Sequence, residues 1–205
     1  MPNLVKQIPE TMRKLGVSEE TMSQFDFPKT SQSDDVIALI RQMDELLTKE
    51  QRLSVMQDQG CCKTGKGPQA HRAFGQTNAA KPLAEKVSLL NETQMPHRAP
   101  CRLNDDGTLA VFWGADDLEK RSCPCGILKK LPDSAEVPLT FCGCCGGHIR
   151  NNYQKSLGVK LRLKEIVSSS SSSNGKKHCE FLYDIEAKQR KISTAIEVLG
   201  HLRRV

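Results

Sequence analysis

Nine cysteines stand against five histidines in 205 residues, and five of the nine fall between positions 123 and 145. They read Cys123-Pro-Cys125, then sixteen residues, then Cys142-Gly-Cys144-Cys145-Gly-Gly-His148. A metal site needs several soft donors within a few ångströms of one point. Two short cysteine pairs joined by a loop supply them, because each pair presents two sulfurs from one turn. Thiolates with an imidazole suit zinc. The candidate ligands are Cys123, Cys125, Cys142, Cys144, Cys145 and His148, of which a tetrahedral ion would take a subset. Gly143, Gly146 and Gly147 are expected to let the backbone fold tightly around the ion. Cys61 and Cys62, at a helix end before the KTGKG break, could join the same site.

Cys145 and His148 also lie three residues apart, on one face of a helix. A cysteine at a helix start beside a histidine can act as a nucleophile, so this pair is the catalytic candidate. Cys179 and Phe181 share one face of an alternating segment and are candidates to line a pocket. KTGKG at 63–67 lacks the full phosphate-loop pattern and carries little weight. Cys101, His71, His97, His178 and His201 carry no local pattern and read as surface or structural.

The elements that must position these groups change character near residue 100. The first half reads as helical. Leu4, Val5, Ile8, Met12 and Leu15 recur at helical spacing before Gly16. Ser33 with Asp34 and Asp35 makes a helix start suited to the dipole. Val36, Ile37, Leu39, Ile40, Met43, Leu46 and Leu47 then form an apolar set. Thr48 and Gln51 form a capping box for a helix ending near Gly60. Further helices are expected around 68–75 and 82–91, and residues 91–107 read as a connection.

In the second half, 108–113 is a short strand. A helix over 148–157 ends at Gly158. Val159, Leu161, Leu163 and Val167 alternate with charged residues in a two-faced strand. Cys179, Phe181, Tyr183 and Ile185 form a second strand, pairing with the first as an antiparallel hairpin. The serine-rich segment between them reads as an elongated polar tip. Ile192, Ala195, Ile196 and Leu199 suggest a final amphipathic helix. The expected class is α+β: a helical region over 1–100 packs on a cysteine-rich α/β region over 101–205, as one compact unit.

Composition sets the boundaries of function. Hydrophobic residues make up 38% and charged residues 26%, a globular balance. No apolar run approaches the roughly 18 residues of a membrane helix, so no membrane partner is expected. The N-terminus has no signal-like apolar block and the cysteine count is odd, which places the chain in the reducing cytoplasm. The net charge of +6 is C-terminal in origin: residues 150–205 hold 12 Lys or Arg and 5 Asp or Glu. Few aromatics interleave with these basic residues, so nucleic acid is not argued for. Oligomeric state is left open.

Two resemblances arise at the cysteines. CPC, then LTFCGCCGGHIRNNYQKSLGVKLRLKEIVSSS, then HCEFLYDI, over roughly 121–186, resembles an uncharacterised group of prokaryotic cysteine-rich proteins. The last part is similar to the end of the 4-vinyl reductase domain, and to proteins described as aminothiazoline-carboxylate hydrolase-like. The resemblance implies a mixed α/β fold and a small-molecule-binding module, with Cys179 and Phe181 on its final strand. Separately, the CPC and Cys142-Gly-Cys144 spacing is similar to the first two cysteine pairs of the catalytic subunit of ferredoxin–thioredoxin reductase. The Cys-His-Cys triplet of that family is missing from 145–153. The expected function is small-molecule binding or sensing beside a zinc or reactive-thiol centre. An iron–sulfur redox protein and a thiol- or metal-dependent hydrolase of a small substrate are the alternatives.

Overall fold

A computed structural model describes residues 4–30, 32–60, 64–113, 123, 125, 128 and 135–186. Its described helices are α1 (Leu4–Lys14), α2 (Glu19–Met22), α3 (Ser33–Leu46), α4 (Lys49–Asp58), α5 (Lys66–Thr77), α6 (Leu83–Glu92) and α7 (Gly143–Leu157). The strands are β1 (Cys101–Leu103), β2 (Leu109–Trp113), β3 (Lys160–Ser168) and β4 (Cys179–Glu186). The α+β class expected from the sequence holds, with the helical half first and one small sheet after it. The sheet runs β1-β2-β4-β3, antiparallel throughout.

Local chemistry explains the element ends. The Thr48 hydroxyl accepts from Gln51 N at 3.2 Å, and the Gln51 side chain accepts from Thr48 N at 3.0 Å, closing the expected box. At α3 the cap is Gln32 rather than Ser33, with Asp35 closing the box. Gly158 ends α7 at φ +70°, a left-handed position that favours glycine.

Three expectations are corrected. Residues 91–107 are not only a connection, because Cys101–Leu103 is strand β1, paired with β2. The short helix α2 adds to the expected elements, with Ser18 as its cap and Glu19 and Glu20 in its first turn. On β3 the buried face does not run through to Val167, which is 46% exposed, whereas Ile166 is 5% exposed. The cause is a register shift between Leu163 and Glu165, which moves the inward face by one residue. Leu15 also falls outside α1 and is exposed. The suggested helix over 192–199, with His201, lies outside the described residues.

The core lies between α7 and the surrounding elements. α7 packs on α4, α5, α6 and β3. Ile149, Tyr153 and Leu157 of α7 join Leu161 and Leu163 of β3, Phe181 and Tyr183 of β4, and Met56 of α4 in one buried cluster. α7 therefore carries the cysteine segment into the middle of the molecule. None of the described helices is long and apolar enough to cross a membrane.

Candidate functional site

A short 3-10 turn, Leu139–Cys142, leads directly into α7, so Cys142 caps the helix and Cys144 and Cys145 occupy its first turn. Cys142 is 3% exposed and Cys145 is half-buried. Cys123 and Cys125 come from the segment before the turn, and both are half-buried. A further thiol comes from the sheet: Cys179 opens β4, opposite Trp113 of β2.

Cys123, Cys125 and Cys179 lie close enough to Cys142 and Cys145 to disfavour ionisation of those two thiols. Burial pushes the Cys142 thiol up to about 12, and Cys179, Cys123 and Cys125 add to the effect. Burial holds Cys145 well above the ordinary thiol value, with Cys142, Cys123, Cys125 and Cys179 adding to it. Cys179 is raised by burial and by Cys123, against hydrogen bonds from Ser170 and Ser169. As the side chains stand, no group of three or more His, Cys, Asp or Glu among the described residues could hold a metal ion.

The structure redistributes the sequence candidates. Cys123, Cys125, Cys142 and Cys145 share one neighbourhood. Cys144 turns toward α4, where its thiol donates to the Gln59 carbonyl at 3.3 Å. His148 is 8% exposed and meets a different set of groups. Its ring stands edge-on to His97 at 5.4 Å and to Trp113 at 6.1 Å, and Asn152 Nδ2 lies 3.3 Å from its Nε2. Cys61 and Cys62 lie outside the described residues. The glycines of the motif do not wrap an ion. They lie within α7 and let neighbours close on it, Gly143 against Met56 and Gly146 against Leu163 and Phe181.

Phe181 is fully buried in the core, so it is not a pocket wall. A cleft of about 280 Å³ does lie between α3, α4 and the Leu139–Cys142 turn. Its lining includes Asp44, Arg52 and Thr140, not Cys179 or Phe181. Cys101 is buried in β1 beside Asn91, away from the thiol group just described.

Sequence reasoning missed Cys179 as a member of the thiol group, and missed the serines beside it. Ser169 Oγ lies 2.9 Å from Cys142 Sγ, and Ser170 N donates to Cys179 Sγ at 3.3 Å. The signal was present in the topology. α7 runs one way, Gly158 reverses the chain, and β3 runs back, so the end of β3 returns toward the start of α7. The β3–β4 hairpin then sets Cys179 at that same end.

Comparison with family models, with curated proteins and with solved structures returned no match.

Proposed function

We propose that the start of α7 anchors a metal–thiolate centre, with zinc as the expected ion, drawn from Cys123, Cys125, Cys142, Cys145 and Cys179. The observation that carries this reading is that Cys123, Cys125 and Cys179, from separate stretches of chain, lie close enough to the buried Cys142 and Cys145 thiols to disfavour their ionisation. Soft donors held together at a cost to one another gain most from a soft cation placed among them. Four of the five fill a tetrahedral shell.

The thiol-nucleophile reading has less support. A nucleophilic cysteine needs a lowered pKa, and Cys145 is held well above the ordinary value by burial and by its sulfur neighbours. His148 is engaged with His97, Trp113 and Asn152. The role in small-ligand binding beside the metal is what the vinyl-reductase likeness adds.

The test is metal analysis of the full chain purified without oxygen. Near-stoichiometric zinc is expected, and the Cys142→Ser, Cys145→Ser double variant should lose most of it. Iron with acid-labile sulfide in place of zinc moves the centre to the redox reading. Neither metal above a small fraction of an equivalent overturns the proposal.

A further inference from the structure

The cleft between α3, α4 and the Leu139–Cys142 turn joins two kinds of surface in about 280 Å³. Leu53, Leu139 and Ile166 supply apolar wall. Leu139 stays 39% exposed there, one of three large hydrophobic side chains left exposed among the described residues. The rest of the lining is polar: Asp44, Lys49, Arg52 and Thr140.

Local structure brings these polar groups together. α3 ends at Leu46 and α4 starts at Lys49, so Asp44 comes from the last turn of one helix and Lys49 and Arg52 from the start of the next. Lys49 and Arg52, three residues apart, are neighbours on the helix surface. The Arg52 side chain is only 26% exposed, because it folds across the cleft. Its Nε lies 3.1 Å from Asp44 Oδ1, and its Nη1 donates to the Leu47 carbonyl at 3.1 Å. Thr140 donates to the same Asp44 oxygen at 2.5 Å. Both contacts fall on Oδ1, so Asp44 Oδ2 and Arg52 Nη2 make no hydrogen bond among the described residues. Lys49 pairs with Glu165 at 3.3 Å, but the two side chains are 57% and 45% exposed. Water screens such a pair, and Lys49 can exchange partners at little cost.

We infer that this cleft binds a small zwitterion with an apolar body, the chemistry of an aliphatic α-amino acid. A guanidinium already held by two contacts presents its remaining nitrogen to a carboxylate, with Lys49 as a second cation. Asp44 Oδ2 accepts from an ammonium. The apolar walls take the aliphatic body, whose burial supplies affinity that exposed charges alone do not. A simple anion would leave Asp44 facing a like charge, and a simple amine would leave two cations facing one. A molecule carrying both charges suits the whole set. Thr140 precedes Cys142 by two residues, so an occupant would touch the turn that leads into α7. The inference names a ligand class for the small-molecule role and does not rest on the metal–thiolate reading, because no lining residue is a cysteine.

The experiment is titration calorimetry of the full chain with leucine, leucinamide, 4-methylpentanoate and alanine. Saturable binding of leucine is expected. Leucinamide lacks the carboxylate and 4-methylpentanoate the ammonium, and each should bind about 10-fold more weakly. Asp44→Asn keeps an acceptor for Thr140 and removes the charge, so it should abolish the preference for leucine over 4-methylpentanoate. A merely structural Asp44 would not move that ratio. Leu139→Ala trims an exposed wall without opening the core, and should narrow the preference for leucine over alanine about threefold. It carries the test where Asp44→Asn does not fold. Absence of saturable leucine binding overturns the inference, as does equal affinity for leucine, leucinamide and 4-methylpentanoate. Unchanged preferences in the folded variants also overturn it, by placing the binding elsewhere. Each of these results leaves the metal–thiolate reading standing.

Discussion

The two ends of α7 hold different kinds of buried polar chemistry. At its start the groups are sulfurs, brought from α7, β4 and the segment before the helix, and their neighbours disfavour ionisation of Cys142 and Cys145. Further along, the groups are imidazole, amide and hydroxyl. His71 Nδ1 lies 2.7 Å from Ser156 Oγ, and the Ser156 hydroxyl donates to the His71 carbonyl at 3.2 Å. Either the ring or the hydroxyl can supply the proton of the 2.7 Å contact, according to the tautomer. The imidazole end is a neutral network in which His71 Nε2 and Asn152 Oδ1 are buried without a hydrogen-bond partner. The sulfur end is where the proposed cation would bind. One helix thus serves as a structural axis at one end and as a proposed site at the other.

Both ends depend on close backbone approach, and removing it has the largest expected effect. A Cβ on Gly147 would sit 1.9 Å from the Gln57 carbonyl oxygen of α4. A Cβ on Gly75 of α5 would sit 1.9 Å from the Lys155 carbonyl oxygen of α7. Backbone cannot rotate aside as a side chain can. Gly147→Ala and Gly75→Ala should each cost about 3 kcal/mol in urea denaturation, well beyond the gain of about 1 kcal/mol from helix propensity. A variant that keeps the wild-type midpoint would show that its helix pair is not in backbone contact.

A titration separates the two ends. Burial lowers the His71 pKa from 6.5 to about 4, with His148, His97 and Lys155 adding to the effect and the His97 backbone opposing it. The fold therefore favours the neutral ring. The unfolded chain binds the proton first, so stability is full above pH 6.5 and is lost as pH falls toward 4. The slope in that window should approach about 1.4 kcal/mol per pH unit. His71→Asn offers Ser156 an N–H without titrating, and should flatten this part of the stability profile. An unchanged slope in the variant would locate the titrating group elsewhere.

Much of this arrangement was legible in the sequence. The capping box at Thr48 and Gln51, the helix stop at Gly158 and the β3–β4 hairpin all follow from local rules, and each of them stands. The clustering of Cys123, Cys125, Cys142 and Cys145 followed from spacing. Four features did not. The shift at Lys164 moves Ile166 inward and Val167 outward, and a bulge leaves no mark in an alternating pattern read from one strand. Cys144 was grouped with its neighbours by sequence distance, but consecutive helical residues point about 100° apart, so it faces α4. The inward fold of the serines was hidden by their composition, because polarity predicts solvent while a sulfur atom can also accept their hydrogen bonds. His71 was similarly concealed: its partner Ser156 lies 85 residues away.

The smallest effect expected distinguishes the ends by a single oxygen each. Tyr183 donates to the Gly146 carbonyl at 2.8 Å, near the sulfur end. That carbonyl lies in the first half of α7, where it also serves the helix ladder, so it keeps a partner when the phenol is lost. Tyr153 accepts from Ala99 N at 2.9 Å and donates to the Ala99 carbonyl. Ala99 is 2% exposed and lies outside regular structure, so both of its backbone groups lose this partner when the phenol is removed. A buried group left unpaired costs about 1–3 kcal/mol. Tyr153→Phe should therefore lose about 2 kcal/mol and Tyr183→Phe about 1 kcal/mol, measured by the same urea denaturation. Equal losses would mean that the Ala99 backbone finds water or another partner, and that the imidazole end is less self-contained than its hydrogen bonds require.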